Sequence, residues 1–207
     1  MPNILMIKNT VLILLFTPFL IFSQSAKIKR LSPNINSYSS EFNFVQINEK
    51  TAYFTSSFLQ GKNYQSLIFS AKLKDGDWEK GRYINLGEEY SCANINFPEE
   101  HKSFYFTLCD KKDYCKIAYR EYKYQTTKYL NENINLEHTT NTQPHVTNHG
   151  TQKVMYFASD RKGGYGGMDI WISMIDDKGN FGKPINAGKK INSEFDEITP
   201  FYNLFSK

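Results

Sequence analysis

The sequence predicts an all-β fold assembled from repeated antiparallel sheets, and three observations carry that expectation. Aromatic residues make up 15 % of the 207, with 14 Tyr and 16 Phe, and such side chains suit pleated, half-buried surfaces better than helical bundles. Beyond the first 25 residues no segment keeps the apolar spacing of three and four that an amphipathic helix requires. Aromatic strands also return at a fixed spacing: Tyr53 to Tyr105 is 52 positions and Tyr105 to Tyr156 is 51, the signature of a repeat architecture. The hydrophobic fraction of 40 % is ordinary for a globular chain. A net charge of +4, evenly spread, is too weak for a nucleic-acid groove or a polybasic membrane patch, so no nucleic-acid partner is expected.

The first element is a targeting segment. Lys8 precedes an apolar stretch from Val11 to Phe22, broken only by Thr17 and Pro18, and Ser23-Gln24-Ser25 follows. A bilayer span needs about 20 apolar residues, whereas a secretory signal combines a positive start, a shorter apolar centre and small residues before the cut. Residues 1–25 therefore read as a cleaved signal peptide, with an uncleaved membrane anchor as the alternative. No cysteine directly follows the apolar run, so a lipid anchor is not expected. Losing Lys8 from 25 Lys plus Arg leaves 24 against 21 Asp plus Glu, a nearly neutral exported domain. The expected location is periplasmic, outer-membrane-associated or secreted.

Export permits disulfides, and the chain has three cysteines, Cys92, Cys109 and Cys115. Cys109 and Cys115 bracket the polar stretch Asp110-Lys111-Lys112-Asp113-Tyr114, which reads as a hairpin loop whose strand ends could be bridged. A Cys109–Cys115 bridge and two separate thiols both remain open at this point. Neither spacing is that of a zinc or CxxC redox motif.

The repeated unit begins with a strand and a turn: Phe42 to Ile47 before Asn48-Glu49-Lys50, Asn94 to Phe97 before Pro98-Glu99-Glu100, and His145 to Thr147 before Asn148-His149-Gly150. The aromatic strand follows as Thr51 to Ser56, Ser103 to Thr107 and Val154 to Ser159. A third strand lies about a dozen residues on, at Leu67 to Ser70, Ile117 to Arg120 and Ile170 to Ser173. A hairpin turn comes next, marked by Asp75-Gly76-Asp77 and Asp177-Lys178-Gly179-Asn180, each followed by an aromatic, Trp78 or Phe181. The unit closes on an Ile-Asn pair, Ile84-Asn85, Ile134-Asn135 or Ile185-Asn186. Four antiparallel strands in a repeat of this length make a β-propeller blade. Residues 26–207 are thus expected to form a partial propeller, with blades at about 37–90, 91–141 and 142–195 and the start of a fourth at 196–207.

Two stretches carry a family resemblance. Asp196-Glu197-Ile198-Thr199-Pro200-Phe201 and the run from Tyr156 to Trp171, with Ser159-Asp160-Arg161 and Gly163-Gly164-Tyr165-Gly166-Gly167-Met168-Asp169, resemble the two halves of the TolB-type, WD-like propeller repeat. The second half is similar to blades that Bacteroidetes envelope proteins couple to OmpA-like peptidoglycan-binding domains. The resemblance spans about residues 36 to 201 and is strongest in the third copy. The second copy has Cys109-Asp110-Lys111 in place of Ser159-Asp160-Arg161 and lacks the glycines, and the first lacks the Asp-Arg pair. The resemblance implies contact with envelope or outer-membrane proteins, including peptidoglycan-associated ones.

Propellers close with about 4 to 8 blades, and here three copies are followed by a restart, with Ile191-Asn192-Ser193 echoing Ile35-Asn36-Ser37. An unclosed set leaves apolar surface and strand edges in water. Truncation of a longer protein is the favoured expectation. Completion of a ring by further chains and a trailing strand that latches the first blade are the others, and self-association follows from unclosed blades.

The candidate chemistry is structural. The glycine run lacks the Lys-Ser/Thr and following helix of a phosphate loop, because Asp169-Ile170-Trp171-Ile172 starts a strand. Gly163, Gly164, Gly166 and Gly167 are read as permitting a tight inter-strand loop, with Asp160 and Asp169 accepting loop N–H bonds or pairing with Arg161. His145 and His149 are read as turn residues rather than metal ligands. Asp75, Asp77 and Glu79 lack the spacing of a calcium loop. No GxSxG elbow or arginine triad appears, so no catalytic residue, cofactor or metal is assigned. The leading function is a non-enzymatic exported scaffold of the cell envelope. The alternative is the propeller part of a secreted carbohydrate-active enzyme or peptidase.

Overall fold

The computed structural model describes residues 28, 30–86, 91–98, 103–110, 114–124 and 126–203. The signal-peptide reading of residues 1–25 lies outside the described residues. From Leu31 onward the chain forms one compact unit, and its strands are all antiparallel. The first sheet contains β1 (Ser40–Asn48), β2 (Thr51–Gln60), β3 (Asn63–Lys74) and two short outer pieces, β4 (Asp77–Trp78) and β5 (Arg82–Tyr83), both paired with β3. The second contains β6 (Ser91–Asn96), β7 (Ser103–Cys109), β8 (Cys115–Glu121) and β9 (Lys128–Tyr129). The third contains β10 (Asn141–His149), β11 (Gln152–Ser159), β12 (Asp169–Met174) and β13 (Ile185–Asn186). Each is a meander whose first three strands are consecutive neighbours and whose outer pieces pair with the third, the topology of a propeller blade.

The pairing registers align the copies residue by residue. Tyr53, Tyr105 and Tyr156 stand opposite Ser70, Tyr119 and Ile172, which in turn face Arg82, Lys128 and Ile185. The outer strand of a blade is interrupted: β4 in the first sheet has as its counterpart the single bridge Ile175–Phe181 in the third. The first strand of every sheet carries a bulge, after Phe42, Ala93 and Thr142. The residue that makes it, Asn43, Asn94 or Gln143, has φ of 52°, 55° or 56°, the left-handed region that short polar side chains tolerate best.

Both faces of β2 and β7 are covered, which explains their near-continuous apolar and aromatic sequence, and β11 is covered on the face toward the second blade. Phe104 and Phe106 pack with Ile68 and Tyr53 of the first sheet, and Met155 and Phe157 pack with Ile117 and Tyr105 of the second. The corresponding face of the first sheet, Ala52, Phe54, Ala71 and Trp78, is covered by Leu31 and Ile35. Polar bonds cross at matching places. Thr55 Oγ1 accepts from Asn94 N at 3.2 Å and Thr107 Oγ1 from Gln143 N at 3.0 Å. Both hydroxyls are buried, so the bulge N–H finds a partner inside the interface rather than in water.

The segment joining one blade to the next is the least obvious part of the repeat. Ile134 and Asn135 donate their backbone N–H groups to Asn131 O, and the Asn135 amide brackets Ile117, accepting from its N and donating to its O, both at 2.8 Å. Ile191 and Asn192 repeat the turn on Gly188, with Asn192 bracketing Ile170 at 2.8 and 3.0 Å. Ile35 and Asn36 make the same turn on Ser32. Asn34 and Asn133 each donate to the carbonyl of the hairpin aromatic, Trp78 O at 2.8 Å and Phe181 O at 2.9 Å. The Ile-Asn alignment expected from sequence therefore needs correction. Ile134-Asn135 is equivalent to Ile191-Asn192 and Ile35-Asn36, whereas Ile185-Asn186 is a strand matched by Lys128-Tyr129 and Arg82-Tyr83.

Residues 193–203 begin a fourth copy. Ser193 N and Oγ donate to the Glu197 carboxylate at 2.8 and 2.5 Å, as Ser37 N and Oγ do to Glu41 at 3.1 and 2.6 Å. Thr199 has φ of 55°, the bulge conformation. The segment is extended but has no strand partner among the described residues. It is held to the third blade by a backbone bond from Glu197 N to Met168 O and by side chains, with Thr199 N donating to Gln143 Oε1 at 2.7 Å and Phe201 and Tyr202 against His145 and His149 at ring separations of 5.0 and 4.8 Å. Both histidines lie within β10, so they are strand residues on one face of the sheet, not turn residues as expected.

Candidate functional site

The residues singled out in the sequence gather at one end of the blades, in the loops joining second and third strands. The three loops are built differently. In the first blade β2 runs into β3 through a tight turn in which Gly61 takes φ of 64°, a value that disfavours any side chain. In the second, Cys109 and Cys115 are cross-strand partners joined by a disulfide, with Cα atoms 4.0 Å apart. Asp110 N donates to Tyr114 O, and Tyr114 N donates back to Asp110 Oδ1 at 3.2 Å.

In the third blade the loop is wrapped around a carboxylate. Asp169, 1 % exposed, accepts from Tyr165 N at 2.6 Å, Gly166 N at 3.1 Å and the Asn186 amide at 2.7 Å. Gly163 has φ of 96°. A side chain at Gly166 would overlap the Phe195 carbonyl oxygen, and one at Gly167 would overlap Asp196 Oδ1. The glycines thus serve a docking role: Met168 N donates to Asp196 Oδ1 and Glu197 N to Met168 O, both at 2.7 Å. Gly164 packs directly on Asp169.

Arg161 and Asp160 do not join this carboxylate. Asp160 Oδ1 accepts from Thr140 N at 2.7 Å. Arg161 is buried, and its guanidinium donates to Asn133 O at 2.9 Å, Ile134 O at 2.6 Å, Asn141 Oδ1 at 2.8 Å and Ser159 Oγ at 2.9 Å. It lies between the rings of Phe157 and Trp171, 4.7 and 5.4 Å from their centroids. Burial lowers its pKa to about 10, opposed by the neighbouring Asp160, which leaves it charged at neutral pH. The charge is spent on carbonyls of the connecting segment between blades and is not offered to solvent.

What this end does offer is tyrosine. Tyr64, the second residue of β3, and Tyr114 and Tyr165, in the second and third loops, are 76 %, 42 % and 55 % exposed. Their positions differ by 50 and 51, but in the strand register they precede the equivalent residues Ser70, Tyr119 and Ile172 by 6, 5 and 7 positions, so they share the same end of the blades without being equivalent. Their near-repeat spacing is a sequence signal that could mark them. Among the described residues no group of three or more His, Cys, Asp or Glu converges as a metal site would require, and no helix is long and apolar enough to cross a membrane. Cys92 is buried, and burial pushes its thiol up to about 12, with Arg120 opposing.

No family model matches the sequence, and no curated protein matches it. Among solved structures, TolB from Acinetobacter baumannii is similar with a TM-score of 0.44 and 16 % identity over 70 % of this chain and 32 % of that one. The GH43 endo-arabinanase from Bacillus licheniformis is similar with a TM-score of 0.41 and 10 % identity over 69 % of this chain and 57 % of that one. An α-L-arabinofuranosidase from Podospora anserina, solved in complex with cellotriose, gives 0.44 and 12 % over 75 % and 52 %. The chain thus spans about a third to just over half of these solved chains.

Proposed function

We propose that the chain is a non-enzymatic, exported propeller module that binds proteins of the cell envelope through the loop end that carries Tyr64, Tyr114 and Tyr165. The exposure of one tyrosine at this end of each blade carries this reading. Each presents a large, stiff contact surface with a polar tip, the type of side chain enriched at protein interfaces. Each is fixed by a rigid base, respectively a hairpin, a disulfide and a carboxylate-centred loop, which lowers the entropy lost on binding. The carboxylates of this end support the same reading. Asp160 and Asp169 are occupied by loop N–H groups, and occupied acceptors are poor candidates for acid–base work. The resemblance to blades coupled to OmpA-like domains makes peptidoglycan-associated and outer-membrane proteins the partner class.

The test is capture from envelope extract by the immobilised chain, compared with Tyr64→Ala/Tyr114→Ala/Tyr165→Ala. We expect at least a tenfold loss of a specific captured protein in the triple variant with unchanged thermal unfolding, since all three side chains are exposed. Equal capture by both would sink the proposal. Sugar release from arabinan by the same preparation would favour the carbohydrate-active alternative.

A further inference from the structure

The outer edge of the first sheet is recessed where the strand breaks between β4 and β5. Gly81 permits the recess: a Cβ there would stand 2.7 Å from Phe54 Cζ, so a larger residue could not sit this far in without moving the ring. Two cavities open on residues 79–82. One of about 130 Å³ is lined by Ser70, Lys72, Glu79, Lys80 and Arg82, and the other, of about 540 Å³, by Asn34, Glu79, Lys80, Gly81 and Arg82. Lys72, Glu79, Lys80 and Arg82 are exposed, and none has an ion-pair partner among the described residues.

The other two blades show what is unusual here. Ser70 stands opposite Arg82 as Tyr119 does opposite Lys128 and Ile172 opposite Ile185. Lys72, two residues further on and therefore on the same face, corresponds to Glu121 and Met174. In the second blade this rung is an ion pair, Lys128 Nζ to Glu121 Oε1 at 3.6 Å. In the third it is apolar. In the first both members are cations, Lys72 and Arg82, and Lys80 adds a third. Like charges at such spacing repel, yet here they surround a cavity of about 130 Å³, room for roughly four waters and on the scale of a phosphate group.

We propose that this recess binds a phosphorylated sugar, with the phosphate in the smaller cavity. Lys72, Lys80 and Arg82 against Glu79 leave two net positive charges, which match a phosphate monoester of about −1.5 to −2 charge; a carboxylate would neutralise only one. The Arg82 fork grips two phosphate oxygens and Lys72 supplies a point charge to the third. Ser70 Oγ, whose bond to Arg82 O is long at 3.4 Å, turns to donate to the phosphate. Glu79 would repel a bare anion. Its place in the lining of both cavities gives it a different task, accepting from a hydroxyl of the sugar in the larger one. No residue of the recess belongs to the tyrosine-bearing end, so the inference does not depend on the proposed function.

The experiment is calorimetric titration of the full chain with glucose 6-phosphate, inorganic phosphate and glucose. Saturable binding of glucose 6-phosphate is expected, tighter than that of either fragment by roughly tenfold or more. Lys72→Glu, which restores the charge pattern of the second blade, should weaken binding by roughly tenfold or more without lowering the thermal unfolding temperature, because the new carboxylate pairs with Arg82. Lys189→Glu makes the same change of net charge at an exposed lysine outside the recess and should leave binding unchanged. Absence of saturable binding, equal affinity for inorganic phosphate or glucose, or equal weakening by the two variants would overturn the proposal.

Discussion

Arg161 shows how one side chain can secure a joint between two repeats. Its fork satisfies two backbone carbonyls of the segment between the second and third blades, Asn133 O and Ile134 O, while two aromatic rings exclude water from the charge. Removing it leaves buried acceptors without donors. We expect Arg161→Ala to destabilise by about 3–5 kcal/mol, and Arg161→Lys to recover only part, because an ammonium cannot reproduce the planar fork. Urea denaturation of the three proteins checks this, and a loss under about 1 kcal/mol for Arg161→Ala would contradict it. The thiols give a second residue-scale test. With Cys109–Cys115 bridged and Cys92 buried, native oxidised protein should show no reactive thiol, denatured oxidised protein one, and reduced denatured protein three. Two or more thiols in the denatured oxidised sample would remove the bridge.

At the scale of single elements, the glycine-rich loop and the segment it docks form a unit. Gly166 faces the Phe195 carbonyl so closely that Gly166→Ala should release residues 193–203 from the third blade while leaving the three sheets in place. Faster cleavage within 193–203 by a protease at low concentration, with unchanged cleavage elsewhere, is the expected result. Acid should loosen the same segment. Burial lowers the His145 pKa, partly opposed by the Tyr202 backbone, so the undocked state takes up a proton more readily than the docked one. Docking is then fully favoured above the ordinary imidazole pKa of about 6.5 and weakens as pH falls below it, until the lowered value is passed. The Thr199 amide resonance, fixed by Gln143, should move toward its random-coil position between about pH 7 and pH 5. A constant shift would contradict the coupling.

Legibility of these elements from sequence followed their burial. The second strands were readable because burial favours continuous apolar runs: both faces are covered at Phe104-Tyr105-Phe106, and Met155 and Phe157 are buried against the second blade. The outer strands β5, β9 and β13 are two residues each, and such pieces leave no periodicity to read. That brevity is also why Ile134-Asn135 was matched to the wrong pair: it lies six residues after Lys128, as Ile191-Asn192 lies six after Ile185. Only strand pairing fixes the register. The loop carboxylate Asp169 was identifiable from its glycines. For Arg161, by contrast, a carboxylate pairing stays open in the sequence, which does not show the carbonyls of a segment 27 residues away.

Across the molecule, the described residues form three blades and the opening segment of a fourth, and the bulge bonds between blades repeat as the strands within them do. The same bulge opens all three blades and, among the described residues, the same joining turn occurs on Ser32, Asn131 and Gly188, while the loops at one end differ. This division explains how a disulfide, a tight turn and a glycine-rich loop can occupy one structural position. It also implies that stability is transmitted through neighbour-to-neighbour interfaces, as in other repeat architectures. The bulge N–H groups that cross from blade to blade test this account most directly. Long-range nuclear Overhauser contacts from the Asn94 amide to Thr55 and from the Gln143 amide to Thr107 should appear together in solution, both protected from exchange with deuterated solvent. Absence of either contact, or exchange of these amides at the rate of an unfolded chain, would contradict it.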